Sequence, residues 1–119
     1  MTTQRQAIGA YGERLAARYL QKHGLEVLFR NWRCADGEVD LILRDGDTLV
    51  FCEVKTRRTA TFGPPAAAVH PRKVRKLRQL AGRWLAESGE HARQIRFDVV
   101  EVCPQRRGAT RVTHLRAAF

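Results

Sequence analysis

The sequence has no uninterrupted apolar stretch near the roughly 18 residues that a membrane-spanning helix needs, so association through a buried helix is not expected. Cysteine is scarce. Cys34, Cys52 and Cys103 form an odd set without a Cys-x-x-Cys pair, which fits a reducing compartment and argues against a zinc ribbon. The four histidines, His23, His70, His91 and His114, are scattered and suggest no metal site. No apolar signal core follows Met1–Gln6, so a cytoplasmic location is expected. Repeats, low-complexity tracts and internal boundaries are also missing, and 119 residues are read as one domain, 1–119. With 44% hydrophobic and 29% charged residues, the chain is globular in composition.

What is abundant is positive charge. The net charge is +10 and the isoelectric point about 10.8, the footprint of a protein that binds polyanions. The distribution is uneven. Residues 36–53 hold six acids (Asp36, Glu38, Asp40, Asp45, Asp47, Glu53) and one base, Arg44; the other 101 residues hold 21 bases and six acids. An acidic island should repel a phosphate ligand unless a divalent cation is held there.

Periodicity predicts a helix over 7–23, with Ile8, Tyr11, Leu15, Ala16, Tyr19 and Leu20 on one stripe, Glu13 beside it and Gly24 as its stop. A strand is expected over 25–30, followed by a turn at Asp36-Gly37. Strands over 38–44 and 48–56 flank a hairpin turn at Asp45-Gly46. After the irregular stretch from Arg57 to His70, Pro71 opens a helix over 71–88. Its apolar face is Val74, Leu77, Leu80, Ala81, Trp84 and Leu85, and its other faces carry Arg72, Lys73, Arg75, Lys76, Arg78 and Arg83. A strand over 95–103 and a short one over 111–115 complete an α-β-β-β-α-β order with an optional final strand.

A two-residue turn at Asp45-Gly46 would place Arg44 opposite Asp47, Glu38 opposite Glu53 and Asp40 opposite Phe51. Glu38, Asp40, Glu53 and Lys55 then share one face, while Val39, Leu41, Leu43, Val50, Cys52 and Val54 form a core face. A one-residue slip would put Asp40 and Glu53 on opposite faces. Carboxylates crowded this way repel one another unless a cation is present. Mg²⁺ takes one or two carboxylates, several waters and a substrate phosphate, and it lowers the pKa of an attacking water. A lysine nearby can orient that water or stabilise developing charge. From the pattern alone, an exposed sheet face with satisfied ion pairs, such as Glu53 with Lys55 or Arg57, explains these residues equally well.

The two segments Gly37-Glu38-Val39-Asp40-Leu41-Ile42 and Phe51-Cys52-Glu53-Val54-Lys55-Thr56-Arg57 resemble the YraN family of bacterial proteins. Gly12-Glu13, Asn31, Arg33, Phe62-Gly63-Pro64, Lys73 and Arg96-Phe97-Asp98 extend the resemblance over nearly the whole chain. That family is placed in the restriction-endonuclease-like PD-(D/E)XK superfamily, and a more distant likeness is to archaeal Holliday-junction resolvases. The resemblance implies an α/β fold with a restriction-endonuclease-like α-β-β-β-α-β core, a mixed sheet flanked by helices. It implies Asp40 and Glu53 as metal carboxylates, Glu13 as the first-helix acid completing the site, Lys55 as the site lysine and Mg²⁺ or Mn²⁺ as cofactor. Val39 stands where the superfamily's name-giving proline would be.

The resulting expectation is a nucleic-acid-binding, Mg²⁺-dependent phosphodiesterase, endonuclease-like, acting on structured or damaged DNA rather than RNA. Its counterpart is a DNA- or RNA-binding module of the same fold with catalysis weak or lost. Glu38 is expected behind the metal carboxylates, or else paired with Arg33 or Arg57. Arg57, Arg58, Arg72, Lys73 and Lys76 are the expected phosphate contacts. Trp84 is expected in the core, Trp32 is undecided between core and base stacking, and Asp98 is expected to pair with an arginine. A homodimer or membership of a larger complex stays open.

Overall fold

The computed structural model describes residues 4–57 and 70–119, with side chains from residue 7 onward; Arg58 and Phe62-Gly63-Pro64 lie outside the described residues. Two helices, α1 (Gln4–Lys22) and α2 (Pro71–Ser88), and five strands, β1 (Glu26–Cys34), β2 (Gly37–Asp45), β3 (Thr48–Thr56), β4 (Gln94–Cys103) and β5 (Arg111–Leu115), build one mixed sheet in the order β1-β2-β3-β4-β5. Only β3 and β4 run parallel, joined by the crossover that contains α2; the other neighbours are antiparallel.

The ends of α1 and α2 follow from local chemistry. At the end of α1, Gly24 adopts φ 91. The Gly24 N–H donates to the Gln21 carbonyl at 3.1 Å and the Leu25 N–H to the Leu20 carbonyl at 3.0 Å. This satisfies orphan carbonyls in the Schellman manner and brings Leu25 onto Leu20 in the core. The α2 helix starts where expected: Pro71 needs no N–H partner in the first turn, and His70 Nδ1 accepts from the Arg72 N–H at 3.0 Å. Gly89 at φ 72 ends it.

Each helix covers one face of the sheet. On one face Ala16, Ala17 and Leu20 of α1 pack on Leu41, Leu43, Val50, Cys52, Val100 and Val102. On the other, Leu77, Leu80, Ala81 and Trp84 of α2 pack on Val39, Ile42, Leu49, Phe51 and Phe97. Trp84 meets Phe51 edge-on, with centroids 5.8 Å apart. Trp32, undecided from the sequence, is buried in this second core. The buried stripe of α1 is Gly12, Ala16, Ala17 and Leu20 rather than the larger residues beside it, and Tyr11 is exposed. Gly12 lies directly over Thr56, where a side-chain carbon would collide with the hydroxyl. The helix therefore sits close to the sheet, which brings Glu13 near the strands.

The hairpin register differs from the expectation. Asp45 pairs with Thr48 and Leu41 with Cys52, so the turn is Gly46-Asp47, not Asp45-Gly46. Gly46 adopts φ 60, and a glycine at the first central position is what a two-residue turn of the II′ kind requires. The pairing is displaced by two residues. An even displacement keeps the residues paired between Leu41–Asp45 and Thr48–Cys52 on their faces, but it changes the neighbours. The pairing stops at Leu41–Cys52, and Asp40 and Glu53 are the next residues beyond it.

A second departure concerns Val39, which was expected beside Leu41 on the face now covered by α1 and packs instead in the core beneath α2. Strand β1, expected to stop near residue 30, runs on to Cys34 through Asn31, which adopts φ 52. The pairs Arg30–Leu41 and Trp32–Val39 bracket Asn31 and Asp40. The in–out alternation therefore breaks where Asn31 meets Asp40.

Candidate nuclease-type site

The break in the ladder decides what Asp40 can do. Its Oδ2 accepts the Val54 N–H at 2.8 Å, occupying a donor that regular pairing would send to a carbonyl. Burial, together with the negative charge of Glu53, pushes the Asp40 carboxyl up to about 7, against the Val54 hydrogen bond. Glu13 and Glu38 add smaller contributions in the same direction. Glu53, from β3, is buried, and the Lys73 ammonium of α2 sits on its Oε1. Glu13 is half-buried on α1. Its carboxyl is raised above the usual range, chiefly by burial, although a hydrogen bond with the Asn31 side chain opposes the shift; Glu38 and Glu53 raise it further. Four carboxylates thus act on one another around the β2–β3 fork.

Three of these acids, Glu38, Asp40 and Glu53, lie in a cleft of about 740 Å³. Glu38, Asp40 and Glu53 line one wall and Arg72, Lys73, Arg75 and Lys76 of α2 the other. The side chains expected on separate grounds as metal carboxylates and as phosphate contacts therefore face one another. Glu13 lies off the cleft, lining a small adjoining cavity of about 140 Å³ with Ala10, Arg14, Arg30, Asn31 and Leu41. Glu38 sits at the rim and pairs with Arg33 at 3.1 Å. Lys55 follows Glu53 on the same strand face, is half-buried and stands in register with Glu101 of β4, but it is not among the side chains lining the cleft. Arg57 is turned toward buried Glu101, its Nε 3.6 Å from Oε2, rather than toward the cleft. Among the described residues, that oxygen has no hydrogen-bond partner.

Among the described residues, no group of three or more His, Cys, Asp or Glu side chains is spaced to enclose a metal ion. The expected trio of Asp40, Glu53 and Glu13 is therefore arranged as a pair with the third acid set back. The pair still suits a hard cation. Both are oxygen donors, one Asp40 oxygen remains uncommitted to Val54, and Mg²⁺ asks for only one or two protein carboxylates beside water and phosphate.

Two contributors escaped the sequence reading. Asn31 was noted only as part of a motif, yet it sits opposite Asp40 with a left-handed backbone and holds Glu13. Lys73 was read as a phosphate contact only, and its seat on Glu53 needed the packing of α2 to become visible. Asp98, by contrast, lies where expected. Fully buried, it takes Arg96 at 2.9 and 3.0 Å, His114 at 2.7 Å and the Ala117 N–H at 3.0 Å, and belongs to the structural frame on the face covered by α1.

No helix among the described residues is long and apolar enough to cross a membrane. A profile of the family described as "Uncharacterised protein family UPF0102" matches residues 12–102, a span that includes Glu13, Asp40, Glu53, Lys55 and Lys73. A UPF0102 protein of Beutenbergia cavernae is 62% identical over 110 residues, covering 92% of this chain and 93% of the relative. One from a Parafrankia species is 54% identical over 114 residues, covering 96% and 97%. One from a Nocardioides species is 54% identical over 112 residues, covering 94% and 90%. The chain belongs to the UPF0102 family, the YraN-like group to which its two central motifs pointed.

Proposed function

We propose that this protein is a nucleic-acid-binding, Mg²⁺-dependent phosphodiesterase with a restriction-endonuclease-like fold, acting in the cytoplasm on structured or damaged DNA. One observation carries the reading: Asp40 and Glu53 crowd together at the strand fork, on the floor of a cleft whose opposite wall is a row of cations. An acidic floor alone would repel a phosphodiester, and a basic wall alone would bind it without acting on it. The combination suits a phosphate held beside a divalent ion.

In this reading Asp40 and Glu53 hold the ion, with Glu13 behind them tuning the local charge. When bound, the ion polarises the scissile phosphate and lowers the pKa of water. Arg72, Arg75 and Lys76 hold the backbone on either side of the scissile bond. Lys55, two residues beyond Glu53 and set outside the cleft lining, stabilises from behind the negative charge that develops. The row of cations contacts phosphate rather than base edges, so cleavage is tolerant of sequence.

The test is a screen of branched, flapped and linear DNA with Mg²⁺ or Mn²⁺, comparing the wild type with Lys55→Ala and Glu53→Gln. Cleavage that needs the metal and fails in both variants supports the enzyme. The Lys73–Glu53 contact favours a second reading, a DNA- or RNA-binding module in which a lysine permanently replaces the ion. Tight binding with no substrate cut under any condition decides for that module.

A further inference from the structure

Lys73 is the one cation of the α2 wall that reaches across the cleft to the acidic floor. Its ammonium sits on Glu53 Oε1, while Arg72, Arg75 and Lys76 line the same cleft without an ion pair among the described residues. The two partners differ in freedom. Glu53 is buried at the centre of the sheet, with 9% of its side chain exposed, whereas Lys73 has 44% exposed and hangs from the first turn of a helix on a four-carbon stem. The glutamate cannot leave; the lysine can.

The geometry points to Lys73 as an exchangeable counter-ion. It neutralises Glu53 while the site holds no metal, and it is displaced to a substrate phosphate when a divalent cation takes the glutamate. This rests on the metal-binding reading above and goes beyond it, because it makes metal and nucleic acid bind cooperatively through one side chain. An unpaired, buried Glu53 would be costly, so an internal ammonium offsets that cost whenever no divalent ion is bound. A divalent ion satisfies Glu53 better and frees the ammonium, which then lies in a cleft that a phosphodiester enters. Each ligand therefore helps the other, and linkage requires the two effects to be equal in size. The exchange makes and breaks no covalent bond.

The test uses the full chain and two readouts that need no catalysis. The first is Mn²⁺ affinity, measured by electron paramagnetic resonance, for the wild type, Lys73→Met, Lys73→Gln and Lys76→Met. Lys76 lines the same cleft without touching Glu53, so Lys76→Met reports the general effect of removing a positive charge. The expected result is Mn²⁺ binding strengthened by at least about fivefold in both Lys73 variants and by clearly less in Lys76→Met. The second readout is affinity for a short DNA hairpin with Ca²⁺ or with EDTA. The wild type should bind more tightly with Ca²⁺, and the Lys73 variants should lose most of that gain. Equal Mn²⁺ affinities in Lys73→Met and Lys76→Met, with Glu53→Gln abolishing binding, overturn the exchange and leave the metal site standing. Absence of Mn²⁺ binding in every protein overturns both.

Discussion

Replacing Asp40 with asparagine should stabilise the protein at alkaline pH and leave it nearly unchanged in acid. Burial and the neighbouring charge of Glu53 push the Asp40 carboxyl from an ordinary 3.8 to about 7 in the folded protein. A group whose folded value is raised contributes no penalty below the unfolded value. The penalty grows as pH rises between the two values and is complete above the folded one. At about 1.36 kcal/mol per pH unit, the interval from 3.8 to 7 sets a ceiling of about 4 kcal/mol. Asp40 is partly exposed, so screening reduces this, and about 2–4 kcal/mol is expected. Asparagine keeps an oxygen for the Val54 N–H and carries no charge, so the comparison isolates ionisation. Urea unfolding in EDTA, for wild type and variant at pH 4 and pH 8, measures it. The midpoint of the variant should exceed the wild type by about 1–2 M at pH 8 and match it closely at pH 4. A difference between the two proteins that does not change with pH would refute the claim that Asp40 is held as a strained anion beside Glu53.

Other consequences follow from the same packing. Gly12→Ala drives a methyl into the Thr56 hydroxyl and should cost about 1–3 kcal/mol in thermal unfolding, partly recovered when Thr56→Ala is added. For Asp98, burial works against the charged form, but the hydrogen bonds from His114, Arg96 and the Ala117 N–H outweigh it and hold the carboxyl below its usual range. That stabilisation is present above the ordinary carboxylate range and is lost as pH falls through the lowered value. Asp98→Asn should therefore destabilise by about 2–3 kcal/mol at pH 7, leaving Arg96 with Asp45 as its remaining charged partner, and by less in strong acid. Neutralising Arg72 and Lys76 together should lower the salt dependence of DNA affinity by about two in the log–log slope, with little change in thermal stability.

Much of this molecule was legible in the chain. Among the described residues, α1, α2 and every strand but the overlong β1 lie close to where periodicity put them, because their apolar residues recur at 3.6 or 2 residues and the helix ends carry Gly24, Pro71 and Gly89. That Asp40 and Glu53 lie near one another was also readable, since both fall at the open end of the β2–β3 hairpin, and both line the same cleft. The displacement itself was not. Asp45-Gly46 and Gly46-Asp47 are both good two-residue turns, and the choice depends on strand pairing and on partners such as Arg96 for Asp45, 51 residues away.

By itself, the sequence determined the α/β order, the basic surface, the acidic island and the family. The tertiary structure alone decided which cations face those acids and where each side chain is anchored. Asn31 turns left-handed opposite Asp40, Gly12 lets α1 lie against Thr56, and α2 folds back to set Lys73 on Glu53. Local pattern is governed by neighbours along the backbone. Burial, charge crowding and ion pairing depend on residues distant in sequence, and they acquire values only when the chain has packed.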